Sequence, residues 1–171
     1  MCLAQPGRMT LPILNPRNFD TERQHWIPVR VYYEDTDFTG MVYHANYLRY
    51  FERGRSDYLR DAGVPHQSLL NRDDPAAFTT TRLEVKYRRA ARVDDFLGIR
   101  TRYLGLDGCR LMFRQDCVRG NEVVAETIVD AVMIHPDGRP RRPLKDVIEK
   151  LAEYQWLDGS VCPKQTGTRK A

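Results

Sequence analysis

Between Ile27 and Ala62 the chain changes its hydrophobic period once, from strand to helix, and this switch limits the folds open to it. Ile27–Tyr33, reading IPVRVYY, is dense in β-branched and aromatic residues and predicts a strand. A polar turn around Gly40 follows. Beyond it Tyr47, Leu48, Phe51, Tyr58, Leu59 and Ala62 recur near helical spacing, while Arg49, Arg53, Arg55 and Arg60 occupy much of the remaining circumference. Gly63 and Pro65 end this long helix, and Asn46 caps its start only if the helix begins late.

Four strands then succeed one another, Phe78–Arg88, Phe96–Leu104, Arg110–Val118 and Glu122–Ile134, before a short amphipathic helix at Lys145–Trp156. Asp107-Gly108 and Gly120-Asn121 fall between alternating apolar runs, so the last three strands form an antiparallel meander. Val85, Ile99, Met112, Phe113, Val123 and Val129 are available for one sheet face, which the helix must cover. The expected class is α+β, an antiparallel sheet wrapped around one long central helix. The 171 residues suit a single domain at 25–157, between a flexible N-terminal arm, 1–24, and a flexible C-terminal tail, 158–171.

A net charge of +4, from 27 basic and 23 acidic residues, falls short of a nucleic-acid binder's basic stripe and suits a small anionic ligand. Cys2, Cys109, Cys117 and Cys162 stand apart, with no Cys-x-x-Cys pair and no His spaced as a zinc ligand, so reduced thiols and no metal site are expected. Pro12 and Pro16 break the short apolar run near the N-terminus, unlike a secretory signal. No run approaches the roughly 18 apolar residues of a membrane span. The expected location is the cytoplasm, without membrane insertion.

The chemistry-bearing residues gather at the strand-to-helix switch: Tyr33, Asp35, Asp37 and His44 around Gly40. The first N–H groups of a helix lack intrahelical partners, so such a junction brings carboxylate, imidazole and free amides together. That combination can attack a polarised carbonyl. Singly, each residue has a plainer reading: Asp37 as a turn carboxylate, His44 as a capping or core histidine, Tyr33 as strand packing. If the strand persists, alternation puts Tyr33, Asp35 and Asp37 on one side. Repulsion among Glu34, Asp35 and Asp37 predicts a raised pKa for at least one carboxylate.

The run VRVYYEDTDFTGMVYHANYLRYFERGRSDYLR closely resembles the opening of the 4-hydroxybenzoyl-CoA thioesterase family, in particular its Tol–Pal-associated acyl-CoA thioesterase branch. Asp-x-Asp, Gly40, Tyr43-His44, Asn46-Tyr47 and Phe51-Glu52 stand in the family's order. VKYRRAARVDDFLGIRT resembles that branch's Tyr-x-x-x-Ala-Arg-x-Asp-Asp segment, and the likeness covers about residues 27 to 150. It implies a hotdog fold, with homodimers often paired into homotetramers and active sites at the dimer interface. It also implies that Asp37 is catalytic, that a backbone N–H at about His44 holds the oxyanion, and that Tyr33 and the His44 ring join Asp37.

The implied reaction is hydrolysis of a short-chain or aromatic acyl-CoA to free acid and CoA, with no cofactor and no metal. An acyl carrier protein is a further candidate partner. Because CoA carries phosphates, Arg88, Arg89, Arg92, Arg110 and Arg142 are candidate contacts, each competing with the ordinary role of a surface arginine. Asp94 and Asp95 are expected to begin a strand or to pair with Arg92. The chain departs from the branch at Ala90-Ala91-Arg92, where Pro-Ala-Arg is usual, and at Thr79–Thr81, where apolar and basic residues are usual. Two other readings remain: a non-catalytic acyl-thioester-binding or envelope-associated scaffold protein, and a hotdog enoyl-thioester hydratase.

Overall fold

In a computed structural model that describes residues 17–157, five strands form one antiparallel sheet. They are β1 (His25–Arg30), β2 (Ala77–Tyr87), β3 (Phe96–Asp107), β4 (Arg110–Arg119) and β5 (Glu122–Ile134), ordered β1-β3-β4-β5-β2. The helices are α1 (His44–Asp61), α2 (His66–Leu70) and α3 (Lys145–Ala152). The expected α+β hotdog architecture is present, with the β3-β4-β5 meander and α1 as its long helix. No helix among the described residues is long and apolar enough to cross a membrane.

Helix α1 buries Tyr47, Tyr50, Phe51, Gly54, Tyr58 and Leu59, three or four residues apart, against the sheet. Gly54 permits close approach, since a Cβ there would lie 2.8 Å from Ile99 Cγ2 and 2.9 Å from Thr101 Oγ1. Between two apolar clusters runs a polar seam. Gln115 Nε2 donates to Phe51 O at 2.8 Å and to Thr101 Oγ1 at 2.9 Å, while its Oε1 accepts from Arg55 Nη1 at 2.8 Å. The seam joins helix to sheet with its buried donors satisfied. The helix closes on Gly63 at φ +83°, where Val64 N–H donates to Leu59 O and Gly63 N–H to Arg60 O.

Several expectations are corrected. β1 begins at His25 and stops at Arg30, because the Asp35 carboxylate accepts Tyr32 N–H at 2.9 Å and residues Tyr33–Asp35 turn into a 3-10 helix. Asn46 is not a cap: it lies inside α1, buried, with Nδ2 donating to Asp35 O at 2.9 Å. Helix α2, too short to show a period, was not expected. Helix α3 stops at Ala152, after which Gln155 bridges Tyr103 in parallel and Trp156 N–H donates to Tyr103 O at 2.9 Å. Met112 does not join Phe113 on the buried face, since neighbouring strand residues point to opposite sides; Leu111 and Phe113 are the buried pair.

Residues 17–24, expected to belong to a flexible arm, are instead packed against the domain. Phe19 is only 2% exposed, bridges His25, and packs against Tyr58 (5.2 Å) and Tyr154 (4.5 Å) between ring centroids. Around it, Asn18 Nδ2 donates to Asp61 Oδ2 at 3.0 Å, Trp26 Nε1 to Asp20 Oδ2 at 3.0 Å, and Arg17 Nη1 to Tyr154 Oη at 2.6 Å. Residues 17–24 thus form a strap across β1, α1 and the end of α3. Residues 1–16 and 158–171, with Cys2 and Cys162, lie outside the described residues. Cys109 is an exposed thiol and Cys117 a buried one.

Candidate active site

Residues 36–44 carry the chain from the 3-10 turn into α1. Thr36 and Val42 bridge antiparallel, Asp37 N–H donates to Met41 O at 2.9 Å, and Gly40 N–H donates to Asp37 O at 3.0 Å. Gly40 has φ +73°, a conformation in which a side chain would be strained. This turn holds the Asp37 carboxylate half-exposed. Its Oδ1 accepts the Thr39 hydroxyl at 2.5 Å and the Thr39 N–H at 2.8 Å. Those bonds, the hydroxyl's first, hold the Asp37 carboxyl below the usual aspartate range. Repulsion had suggested a raised value in this group; at Asp37 the surrounding donors prevail.

Helix α1 opens at His44. The first helix amide with a backbone acceptor is that of Asn46, to Tyr43 O at 2.8 Å, so the His44 and Ala45 N–H groups have no intrahelical partner. Asp35 supports this start through its backbone: its carbonyl accepts from Tyr43 N–H and from Asn46 Nδ2, each at 2.9 Å. Its carboxylate is used within the 3-10 turn, a structural role.

Asp37, His44, Tyr47, Tyr87, Arg88 and Arg89 line one open cleft of about 360 Å³. Tyr87 Oη donates to His44 O at 3.1 Å and its ring meets the His44 ring edge-on at 6.4 Å; Tyr43 lies on the other neighbouring position, 4.4 Å from His44. Tyr47 Oη accepts Ala91 N–H at 3.1 Å, tying the helix to the loop after β2. Burial raises the pKa of both Tyr47 and Tyr87, so each keeps its proton at neutral pH. A larger groove of about 640 Å³ passes Trp26, Arg53 and Arg60 between β1 and α1, but neither Asp37 nor His44 lines it.

The candidates are only partly gathered. Tyr33 is 86% exposed on the 3-10 turn and does not line the cleft, because the strand that was to align it with Asp37 has already ended. Arg88 and Arg89 line the cleft but are paired, Arg88 Nη2 with Glu126 at 2.5 Å and Arg89 Nε with Glu122 at 3.2 Å. Arg92 reaches the Asp37 turn, its Nη1 lying 3.8 Å from where a Gly40 Cβ would be. Asp95 pairs with Arg92 through the backbone, accepting its N–H at 2.9 Å, and with the Arg119 guanidinium at 2.8 Å.

Arg110 and Arg142 are not at this site. Register puts Arg110 opposite Asp107 at one end of the β3–β4 ladder, whereas Gly98 and Val118 pair near the other end, the one nearest Tyr87 and the cleft. Arg110 is paired with Asp107 at 2.5 Å, and Arg142 follows β5 at that same far end. Tyr47, Tyr87 and Thr39 were given no role from sequence. Tyr87 had a signal, as the first residue of the Tyr-x-x-x-Ala-Arg segment. Among the described residues no group of three or more His, Cys, Asp or Glu side chains is arranged to hold a metal ion.

The sequence profile of the thioesterase-like superfamily matches residues 31–152, a span that includes the Asp37 turn, all of α1 and the cleft. The chain belongs to the thioesterase-like superfamily. Among its relatives, the acyl-CoA thioesterase YbgC of Haemophilus influenzae is 39% identical over 107 residues, 63% of this chain and 78% of that protein. The acyl-CoA thioester hydrolase YbgC of Escherichia coli is 37% identical over 128 residues, 74% of this chain and 94% of that protein. A solved structure described as a probable thioesterase from Bartonella henselae is 37% identical and superposes with a TM-score of 0.68, covering 71% of this chain and 99% of that one.

Proposed function

We propose that this superfamily member is an acyl-CoA thioesterase of the Tol–Pal-associated branch, hydrolysing short-chain or aromatic acyl-CoA to the free acid and CoA in the cytoplasm. The observation that carries the reading is that Asp37 and His44, the first residue of α1, line one cleft. A thioester has a weak C–S bond and a carbonyl that needs polarising. The His44 and Ala45 N–H groups supply donors where negative charge develops on its oxygen. Asp37 either removes a proton from the attacking water or adds to the carbonyl carbon itself. Collapse of the tetrahedral species breaks C–S, and the departing thiolate takes up a proton through the His44 ring; where Asp37 itself has added, water then opens the acyl-aspartyl anhydride, releasing the acid and restoring the carboxylate. The scheme needs no cofactor and calls on no metal.

Of the arginines, Arg92 is best placed for a CoA phosphate, since it stands by the Asp37 turn with no acidic side chain paired to its guanidinium among the described residues. Tyr33 is supported as a catalytic group by the resemblance alone; it needs a surface that folds over the 3-10 turn. A homodimer formed through β2 would provide neighbouring protein. This sheet edge carries eleven residues, with Leu83 37% and Tyr87 49% exposed among polar neighbours, an unpaired margin of the kind that another strand covers. A homotetramer would be two such pairs, and an acyl carrier protein is the competing thioester donor.

The test is thiol release from a panel of acyl-CoA and acyl carrier protein thioesters. Asp37→Asn is expected to lower kcat by about 10²–10⁴-fold, the usual worth of a positioned acid or base, with Tm unchanged. A folded Asp37→Asn protein that turns over at the wild-type rate sinks the mechanism. Tight CoA binding with no thiol release would instead make the cleft a ligand pocket, and loss of enoyl-CoA absorbance would make it a hydratase.

A further inference from the structure

We propose that Thr39 is a positioning residue for Asp37: its hydroxyl and amide together occupy Oδ1, so that Oδ2 alone is presented to the reacting thioester or water. The inference rests on Asp37 being the reactive carboxylate. Oδ1 accepts the Thr39 Oγ1 hydrogen at 2.5 Å and the Thr39 N–H at 2.8 Å, which fills the two lone-pair directions of one carboxylate oxygen. Those two are the hydrogen bonds made to the carboxylate among the described residues; the Met41 N–H also approaches it and lowers its pKa, by less than either Thr39 bond.

The amide bond alone would not achieve this. Any residue but proline at position 39 offers an N–H to the aspartate two positions earlier, the ordinary geometry of a turn. With one donor the carboxylate still rotates about its terminal torsion, which is broad and roughly two-fold, so its oxygens exchange. A second donor from the side chain fixes the plane. Thr39 is exposed, so packing does not call for its side chain, and the hydroxyl is what threonine adds. Charge-assisted bonds to an ionised carboxylate are also the stronger kind, and they favour the ionised form that either base or nucleophile requires.

The experiment is the pH profile of kcat/KM for thiol release from butyryl-CoA or benzoyl-CoA, whichever turns over faster, with Thr39→Val, Thr39→Ala and Thr39→Ser. Losing the hydroxyl should move the acid limb to higher pH in the Val and Ala variants. It should also lower plateau kcat on the order of tenfold while KM changes little, as for a misoriented group. Thr39→Ser should restore both. If the Val variant fails to fold, the Ala and Ser pair carries the same comparison. An unmoved limb and unchanged kcat in Thr39→Ala overturn the proposal, and so does a fall in Tm with the limb unmoved, which makes Thr39 a turn residue only. Asp37→Asn is measured in parallel. Full activity there condemns the assignment of Asp37 and this inference with it, whereas an inactive Asp37→Asn beside an unaffected Thr39→Ala condemns the role of Thr39 alone.

Discussion

His25 is fully buried, with Nε2 2.9 Å from Asp61 Oδ2 and rings of Phe19 and Tyr58 around it. Burial lowers its pKa below the usual 6.5, outweighing the nearby Asp61 and Asp57, which act to raise it. On unfolding the imidazole returns to its ordinary value, so between the folded pKa and 6.5 the unfolded chain binds the additional proton. Stability is therefore undiminished above about pH 6.5 and declines as pH falls through that value towards the lower folded pKa. The urea midpoint should drop between about pH 7 and pH 5, and the drop should be shallower in His25→Gln. An identical slope in the variant would remove His25 as its cause. At this scale the sequence was most readable where one residue type has few uses, as with Asp37 and Gly40 in a turn. His25 was invisible, because its meaning depends on Asp61 and Tyr58, which only folding brings beside it.

Among the elements, β2 has most left to bury. Its residues are exposed or half-exposed along its whole length, although Leu83, Val85 and Tyr87 alternate on one face. If two copies pair along this margin, Leu83→Asp should shift the sedimentation velocity peak from dimer to monomer, because a carboxylate would have to be desolvated there. A Leu83→Asp protein that still sediments as a dimer would place the interface elsewhere. The strands themselves were legible, with Asp107-Gly108 and Gly120-Asn121 separating them within a residue or a few of their observed ends. The end of β1 was not. The residues of IPVRVYY favour extended chain, but the local bond from Tyr32 N–H to the Asp35 carboxylate outcompetes that propensity.

For the molecule as a whole, the order of one strand, one long helix and four strands was enough to recover the α+β class, since only one long helix was available to cover the sheet. The candidate site was less legible. The junction of β1 with α1 is local in sequence, whereas Tyr87 ends β2 and Arg92 follows it, and Arg110 and Arg142 were excluded only by strand register. If the proposed division of labour between Asp37 and the helix amides holds, overnight dialysis against EDTA leaves thiol release unchanged, and added zinc does not raise it. Activity lost on dialysis and regained with zinc would contradict that division of labour.

The strap formed by residues 17–24 bears on how the chain comes to fold during synthesis. Arg17 and Phe19 leave the ribosome early, but Tyr154, which receives them, follows Arg17 by 137 positions. Until it emerges, the cluster containing Phe19, Tyr58 and Leu151 lacks one wall, and nascent chains must wait with apolar surface uncovered. Residues 17–24 and the segment after α3 close that cluster together, so neither covers it without the other.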